Sequence, residues 1–111
     1  MKVVTDTTRV YEAERRVHHV VRPGFRITEM QISPAQEVPW HYHNHVQDTI
    51  YVASGAIRIE LHDPIEEVCL TPGKIFAIAP RRPHRVTNIG AASANFFVLQ
   101  GGGEFDFAPI A

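Results

Sequence analysis

Three of the seven histidines crowd into one short segment, His41-Tyr42-His43-Asn44-His45. Alternate side chains of an extended strand share a face, so His41 and His43 present two imidazoles side by side toward one interior. That is a chelating arrangement. Downstream, His84 follows the Pro-bounded turn Pro80-Arg81-Arg82-Pro83 at the start of a strand-like run. A position anchored in this way suits a metal ligand, which must be held to within a fraction of an ångström. Three imidazoles with one oxygen donor suit Fe, Mn, Ni, Cu or Zn, and because those ligand preferences overlap they do not select among the metals. Such a set leaves one or two positions open for substrate, dioxygen or water, which distinguishes a catalytic metal from a structural one. Only one cysteine, Cys69, is present, so an internal disulfide and a thiolate-rich metal site are both excluded.

The elements that position these residues read as β-structure. Asp48 opens the β-branched and aromatic run Thr49-Ile50-Tyr51-Val52, which stops at Ser54-Gly55. Elsewhere Pro and Gly recur at short intervals between runs rich in Val, Ile, Phe and Tyr, the punctuation of a β-sandwich or barrel. Strands are expected at 17–22, 25–32, 38–43, 48–53, 56–61, 67–70, 74–79, 84–88 and 94–100. In 25–32 the apolar residues Phe25, Ile27, Met30 and Ile32 compete for the core across one slip in phase, which a bulge near Thr28-Glu29 would reconcile. Thr71-Pro72-Gly73 predicts a turn joining two antiparallel strands. The tail from Gly101 is expected to leave the barrel, with Phe105 and Phe107 covering an edge or a neighbouring subunit.

The chain of 111 residues, 44% hydrophobic, fits one domain over residues 1–111, with a barrel over about 17–100 and a tail over 101–111. Eleven Lys and Arg against twelve Asp and Glu give a formal charge of -1, which argues against nucleic acid and anionic membrane as partners and for a small molecule. No apolar run approaches the roughly 20 residues that span a bilayer, and Met1–Asp6 lacks the hydrophobic segment of a secretory signal. A cytoplasmic location is expected.

The histidines and turns together resemble the cupin superfamily. His41-Tyr42-His43, four residues, Asp48, six residues and Gly55 reproduce the spacing of its first motif, and Gly73, Pro80, His84 and Asn88 that of its second. The resemblance implies an all-β, single-domain double-stranded β-helix, or jelly-roll barrel. It also implies a divalent transition metal held by His41, His43, His84 and a fourth ligand. Asp48 occupies the position usually held by Glu and is one methylene shorter. Gln47 is its rival, because some cupins place this ligand one residue earlier and an amide oxygen can coordinate. Arg81 stands where the family usually has Gly, and Ala35 or its neighbours replace the Gly expected before the first His. Homodimerisation is usual in the family and is expected here.

A metal-dependent enzyme acting on a small oxygenated or aromatic molecule follows, of the dioxygenase type or of the polyketide-cyclase or isomerase type. Asp48 or Gln47, whichever is unligated, would move protons, with Asp48 the better base. The alternative is a non-catalytic module that binds a sugar or other metabolite. Several residues have plainer readings. His45 reads as a loop residue that reaches the site only if its loop folds inward, and of the neighbours His18 and His19 only one can face the interior. Cys69 reads as a small buried residue. Arg81, Arg82 and Arg85 read as a solvated turn face rather than a carboxylate site. Trp40, Tyr42, Phe76, Phe96 and Phe97 are expected in the core, with Ile78, Phe96 and Val98 as pocket walls.

Overall fold

The computed structural model describes residues 4–110. Among these, a 3-10 turn at Thr7–Arg9 precedes the strands β1 (Arg15–Arg22), β2 (Phe25–Ile32), β3 (Glu37–Tyr42), β4 (Gln47–Ser54), β5 (Ile57–Leu61), β6 (Glu66–Leu70), β7 (Ile75–Ile78), β8 (His84–Asn88), β9 (Ala94–Gly101) and β10 (Ala108–Pro109). They form two five-stranded antiparallel sheets, ordered β1-β2-β9-β4-β7 and β10-β3-β8-β5-β6. The fold is the double-stranded β-helix expected from the sequence. No helix among the described residues is long and apolar enough to cross a membrane.

Successive strands often cross from one sheet to the other, so the inner faces close around one core. Met30, Ile32, Ile50, Val52 and Phe96 from the first sheet meet Val38, Ile57, Ile59, Leu61 and Val86 from the second, all buried. Alternation along β5, whose Ile57, Ile59 and Leu61 are buried while Arg58 and Glu60 are not, is the period-2 signature of a sheet wet on one side only. Gly55 makes the crossing from β4 to β5 at φ +80°, where an added Cβ would lie 2.8 Å from the Ala94 Cα. A side chain there meets both a strained backbone and a clash.

Four expectations change. Strand β2 holds an unbroken register against β9, from Phe25↔Gly101 to Ile32↔Ala94, so it carries no bulge. The irregularity lies in its other neighbour, β1, between His18 and Val20. The inward phase of β2 therefore runs through Arg26, Thr28, Met30 and Ile32, and Phe25 is 40% exposed. The Thr71-Pro72-Gly73 turn forms, with the Lys74 N–H donating to the Thr71 carbonyl, but it passes from β6 in one sheet to β7 in the other instead of closing a hairpin. Cys69 is exposed, because it shares the outward face of β6 opposite Arg58 while Leu70 turns inward. The tail does not leave the barrel. It returns to pair Ala108 with Tyr42 and Pro109 with His41, adding β10 to the edge of the second sheet and burying Phe107.

Candidate metal centre

His41 on β3 stands directly opposite His84 on β8, both in the second sheet. One extra residue enters β3 between Val38 and His41, at Pro39-Trp40. Proline lacks the N–H a regular ladder would need there and is at home in such a bulge. The bulge leaves the Pro39 carbonyl 2.7 Å from Nδ1 of His41. His43 follows β3 on the same face, its ring 4.8 Å from that of His41, and Asp48 looks in from β4 of the first sheet. All four are buried, with relative exposures of 1 to 4%.

Each imidazole is oriented by a main-chain carbonyl. Nδ1 of His41 donates to Pro39, Nδ1 of His84 to Arg82 at 2.9 Å, and Nδ1 of His43 to Asp106 in the tail. A carbonyl oxygen can only accept, so each Nδ1 carries the proton and each Nε2 offers its lone pair. Carbonyl partners of this kind set the tautomer and ring angle of metal-binding histidines. Arg81, in the turn before His84, holds φ +64° and donates its N–H to the His43 carbonyl. A non-glycine residue thus occupies the left-handed conformation that glycine adopts freely, at the position where the resemblance expected Gly.

The carboxylate completes the cluster. Oδ2 of Asp48 lies 3.0 Å from Nε2 of His43 and 3.2 Å from Nε2 of His84, and one potential ligand atom from each of the four residues lies within 4.8 Å of the others. Lone pairs on Nε2 facing a carboxylate oxygen repel unless a proton or a cation stands between them. The donor set therefore fits a divalent cation, and a proton on His43 is the substitute that the residues themselves can supply. Burial opposes the charge on His43, but the Asp48 carboxylate outweighs it, helped by their hydrogen bond and the Asp106 carbonyl, and the pKa is raised. Burial would likewise raise Asp48, yet the charge and hydrogen bond of His43, with His84 adding to them, hold it far below the usual carboxylate range. Burial, with His84 and His43 nearby, pushes His41 well below its ordinary value, so it stays neutral.

The structure brings together His41, His43, Asp48 and His84, and leaves Gln47 out. Strand alternation turns Gln47 to the outside, where it is exposed and sits 3.4 Å from the Thr49 hydroxyl. His45 is exposed as well. Asn88 braces its turn, donating to the carbonyls of Ile32 and Ala92. Arg82 pairs with Glu66 and Arg85 with Glu60, as structural ion pairs at a distance from the cluster. Phe96 and Val98 line the cavity beside the cluster, whereas Ile78 lies in the core.

Four supporting residues were not assigned to the site from the sequence, although Phe107 was expected to cover an edge. Gln100 on β9 donates to Oδ1 of Asp48 at 2.9 Å, Asp106 and Phe107 come from the tail, and Arg26 lies on the corrected inward phase of β2. Only the strand register and the returning tail reveal them. Phe107 stacks on His41 with ring centroids 4.2 Å apart and planes 13° apart. The cavity itself measures about 50 Å³ and is lined by the cluster together with Tyr11, Arg16, His18, Arg26 and Phe105. That is room for a ligand of a few non-hydrogen atoms.

The Cupin domain family model matches residues 28–100, a span that holds all four clustered residues. The chain belongs to the cupin family. Among solved structures this cupin is similar to an uncharacterized conserved protein with a double-stranded β-helix domain from Klebsiella pneumoniae, at 21% identity and a TM-score of 0.75 over 96% of this chain and 97% of that one. It is also similar to the oxalate decarboxylase of Lactobacillus farciminis, at 12% identity and a TM-score of 0.75 over 93% of this chain and 34% of that one. A recombinant oxalate oxidase in complex with glycolate aligns at 16% identity and a TM-score of 0.71, over 78% of this chain and 46% of that one. The cupin thus spans a third to a half of the two oxalate enzymes, and at these identities the likeness is one of fold. No curated protein matches it in sequence.

Proposed function

We propose that this cupin is a metal-dependent enzyme of the dioxygenase type, acting on a small oxygenated organic molecule. The supporting observation is the convergence of three Nε2 atoms and one carboxylate, with every Nδ1 committed to a carbonyl. His41, His43, His84 and Asp48 would hold the metal, which supplies Lewis acidity and a binding position for dioxygen or substrate. Asp48 takes the fourth position in this reading because Gln47 faces outward. Gln100 orients the carboxylate, and Phe107 and Phe105 limit water around the imidazoles. The oxalate oxidase and oxalate decarboxylase neighbours favour a small oxygenated substrate over a polyketide-sized one, as does a cavity of about 50 Å³, and the oxidase favours oxidation.

The protein works in the cytoplasm as a homodimer in this reading. Phe105 and Phe107 are used within the chain, so the contact falls instead to the outer face of the first sheet, where Tyr51 and Ile75 form an exposed cross-strand pair.

Elemental analysis followed by oxygen-uptake screening tests the proposal. One metal per chain is expected, with dioxygen consumed in the presence of a small oxygenated substrate. His84→Ala and Asp48→Ala should lose the metal and Gln47→Ala should keep it. A purified protein that takes up no divalent metal would reduce it to the metabolite-binding module, and metal uptake without oxygen consumption would point to cyclase or isomerase chemistry.

A further inference from the structure

We infer that Arg26, assisted by Arg16, forms a carboxylate-binding subsite in the wall of the cavity, so that the substrate is a small carboxylate. The inference rests on the metal-centre reading for its substrate but on separate residues for its evidence. Arg26 is paired with Gln100, and Gln100 in turn with Asp48, as direct cross-strand neighbours. Residues in one row of a sheet point to the same face, and two strand spacings put the Arg26 and Asp48 backbones roughly 10 Å apart. A molecule reaching from the Arg26 guanidinium toward the cluster therefore spans only a few atoms, which matches the size of the cavity.

Neither arginine forms an ion pair among the described residues. Among the described residues, Arg15, Arg58, Arg82 and Arg85 each have a glutamate partner within 4.0 Å, whereas Arg16 and Arg26 have none. Asp6, whose charge is felt by Arg16, spends one carboxylate oxygen on the Thr8 N–H and hydroxyl. The Arg26 guanidinium carbon sits over the Phe105 ring, 3.9 Å from its centroid, and that of Arg16 over Tyr11 at 4.6 Å. Stacking fixes the plane of a guanidinium and leaves its edge for an acceptor. Nη2 of Arg26 donates to Nδ1 of His18 at 3.2 Å and Nη2 of Arg16 to the Tyr11 carbonyl at 3.1 Å, while the buried Nε of each has no partner. A buried guanidinium N–H without an acceptor is costly, and a carboxylate offers the two oxygens that would satisfy the fork. His18 is held as an acceptor by Arg26, so it positions the guanidinium and adds no charge of its own.

Glycolate and its uncharged analogue ethylene glycol are the probes. Metal content is measured first by elemental analysis, and binding is then followed by calorimetry together with the arginine Nε–H NMR signals. Wild-type protein is expected to bind glycolate at least tenfold more tightly than ethylene glycol and to shift the Arg26 Nε–H signal. Arg26→Met is expected to lose about ten- to a hundredfold in glycolate affinity with metal content unchanged. Arg16→Met should show a smaller loss, and it serves as the test if Arg26→Met fails to fold. Equal affinity for the two probes, or wild-type glycolate affinity in the folded arginine variants, overturns the subsite. Protein without metal whose Arg26 signal still responds to glycolate retains the subsite and sinks the metal centre instead.

Discussion

The Gln100 side-chain amide donates to Oδ1 of Asp48 at 2.9 Å, linking two buried residues that are direct cross-strand neighbours on β9 and β4. With Oδ1 occupied by Gln100, Oδ2 is the oxygen presented to His43 and His84. Gln100→Leu removes the donor and leaves a buried carboxylate oxygen unsatisfied. A loss of about 1–3 kcal/mol in stability is expected, with metal affinity falling about ten- to a hundredfold, as for other residues that orient a ligand. Denaturant unfolding and chelator competition measure the two effects. Unchanged metal affinity in Gln100→Leu would show that Asp48 needs no such support.

The tail should matter to the centre although it supplies no side chain to the cluster. Phe107 is 3% exposed against His41, and the neighbouring Asp106 holds His43 through its carbonyl and the Asn44 N–H through its carboxylate. Phe107→Ala is expected to cost about 3–5 kcal/mol and to weaken metal binding in parallel. Asp106→Ala keeps the carbonyl but frees the loop, so it should lower metal affinity with a smaller loss of stability. Melting curves and metal titrations on the two variants separate packing from ligand orientation.

Stability of the metal-free protein should peak near pH 6.5. Below 6.5 the unfolded chain protonates His41 while the folded one resists, because its value is lowered, so stability falls as the pH drops. Above 6.5 the raised value of His43 acts in the other direction, since the folded state holds a proton that is lost as the pH rises through that value. The lowered value of Asp48 adds a further loss below its ordinary 3.8. Metal binding takes His43 neutral, so affinity should instead climb with pH until its proton is gone. Thermal melts of chelator-treated protein across pH 5 to 9 would contradict this if stability rose steadily, and His43→Gln should abolish the alkaline decline.

If the proposed homodimer forms through the outer face of the first sheet, charge placed there should dissolve it. Tyr51 and Ile75 are 40% and 60% exposed and lie opposite each other on β4 and β7. Tyr51→Asp is expected to shift the protein to a monomer in sedimentation velocity with metal content intact. A monomeric wild-type protein would overturn the proposed dimer, and a Tyr51→Asp protein that dimerises as the wild type does would move the interface elsewhere.

The local pattern of residues was enough to identify the fold class, the His41, His43 pair and the anchored His84. Strand alternation and turn chemistry act over a few residues, and both are written directly in the chain. The turn at Thr71-Pro72-Gly73 was legible for the same reason, but which sheets it joined was not. Which of Asp48 and Gln47 faces the cluster lay in the phase of one strand, since a step of one residue exchanges the inner face for the outer. The phase of β2 is not legible locally because its apolar residues fit either face, and the unbroken pairing with β9 decides it in favour of Arg26, Thr28 and Met30 without the expected bulge. Cys69 went outward on the same principle. Gln100 beneath Asp48, the Asp106 carbonyl on His43 and Phe107 on His41 join residues 52, 63 and 66 positions apart. Contacts at that separation exist only once two sheets have closed and the tail has returned to the edge of β3, so tertiary structure alone decided them.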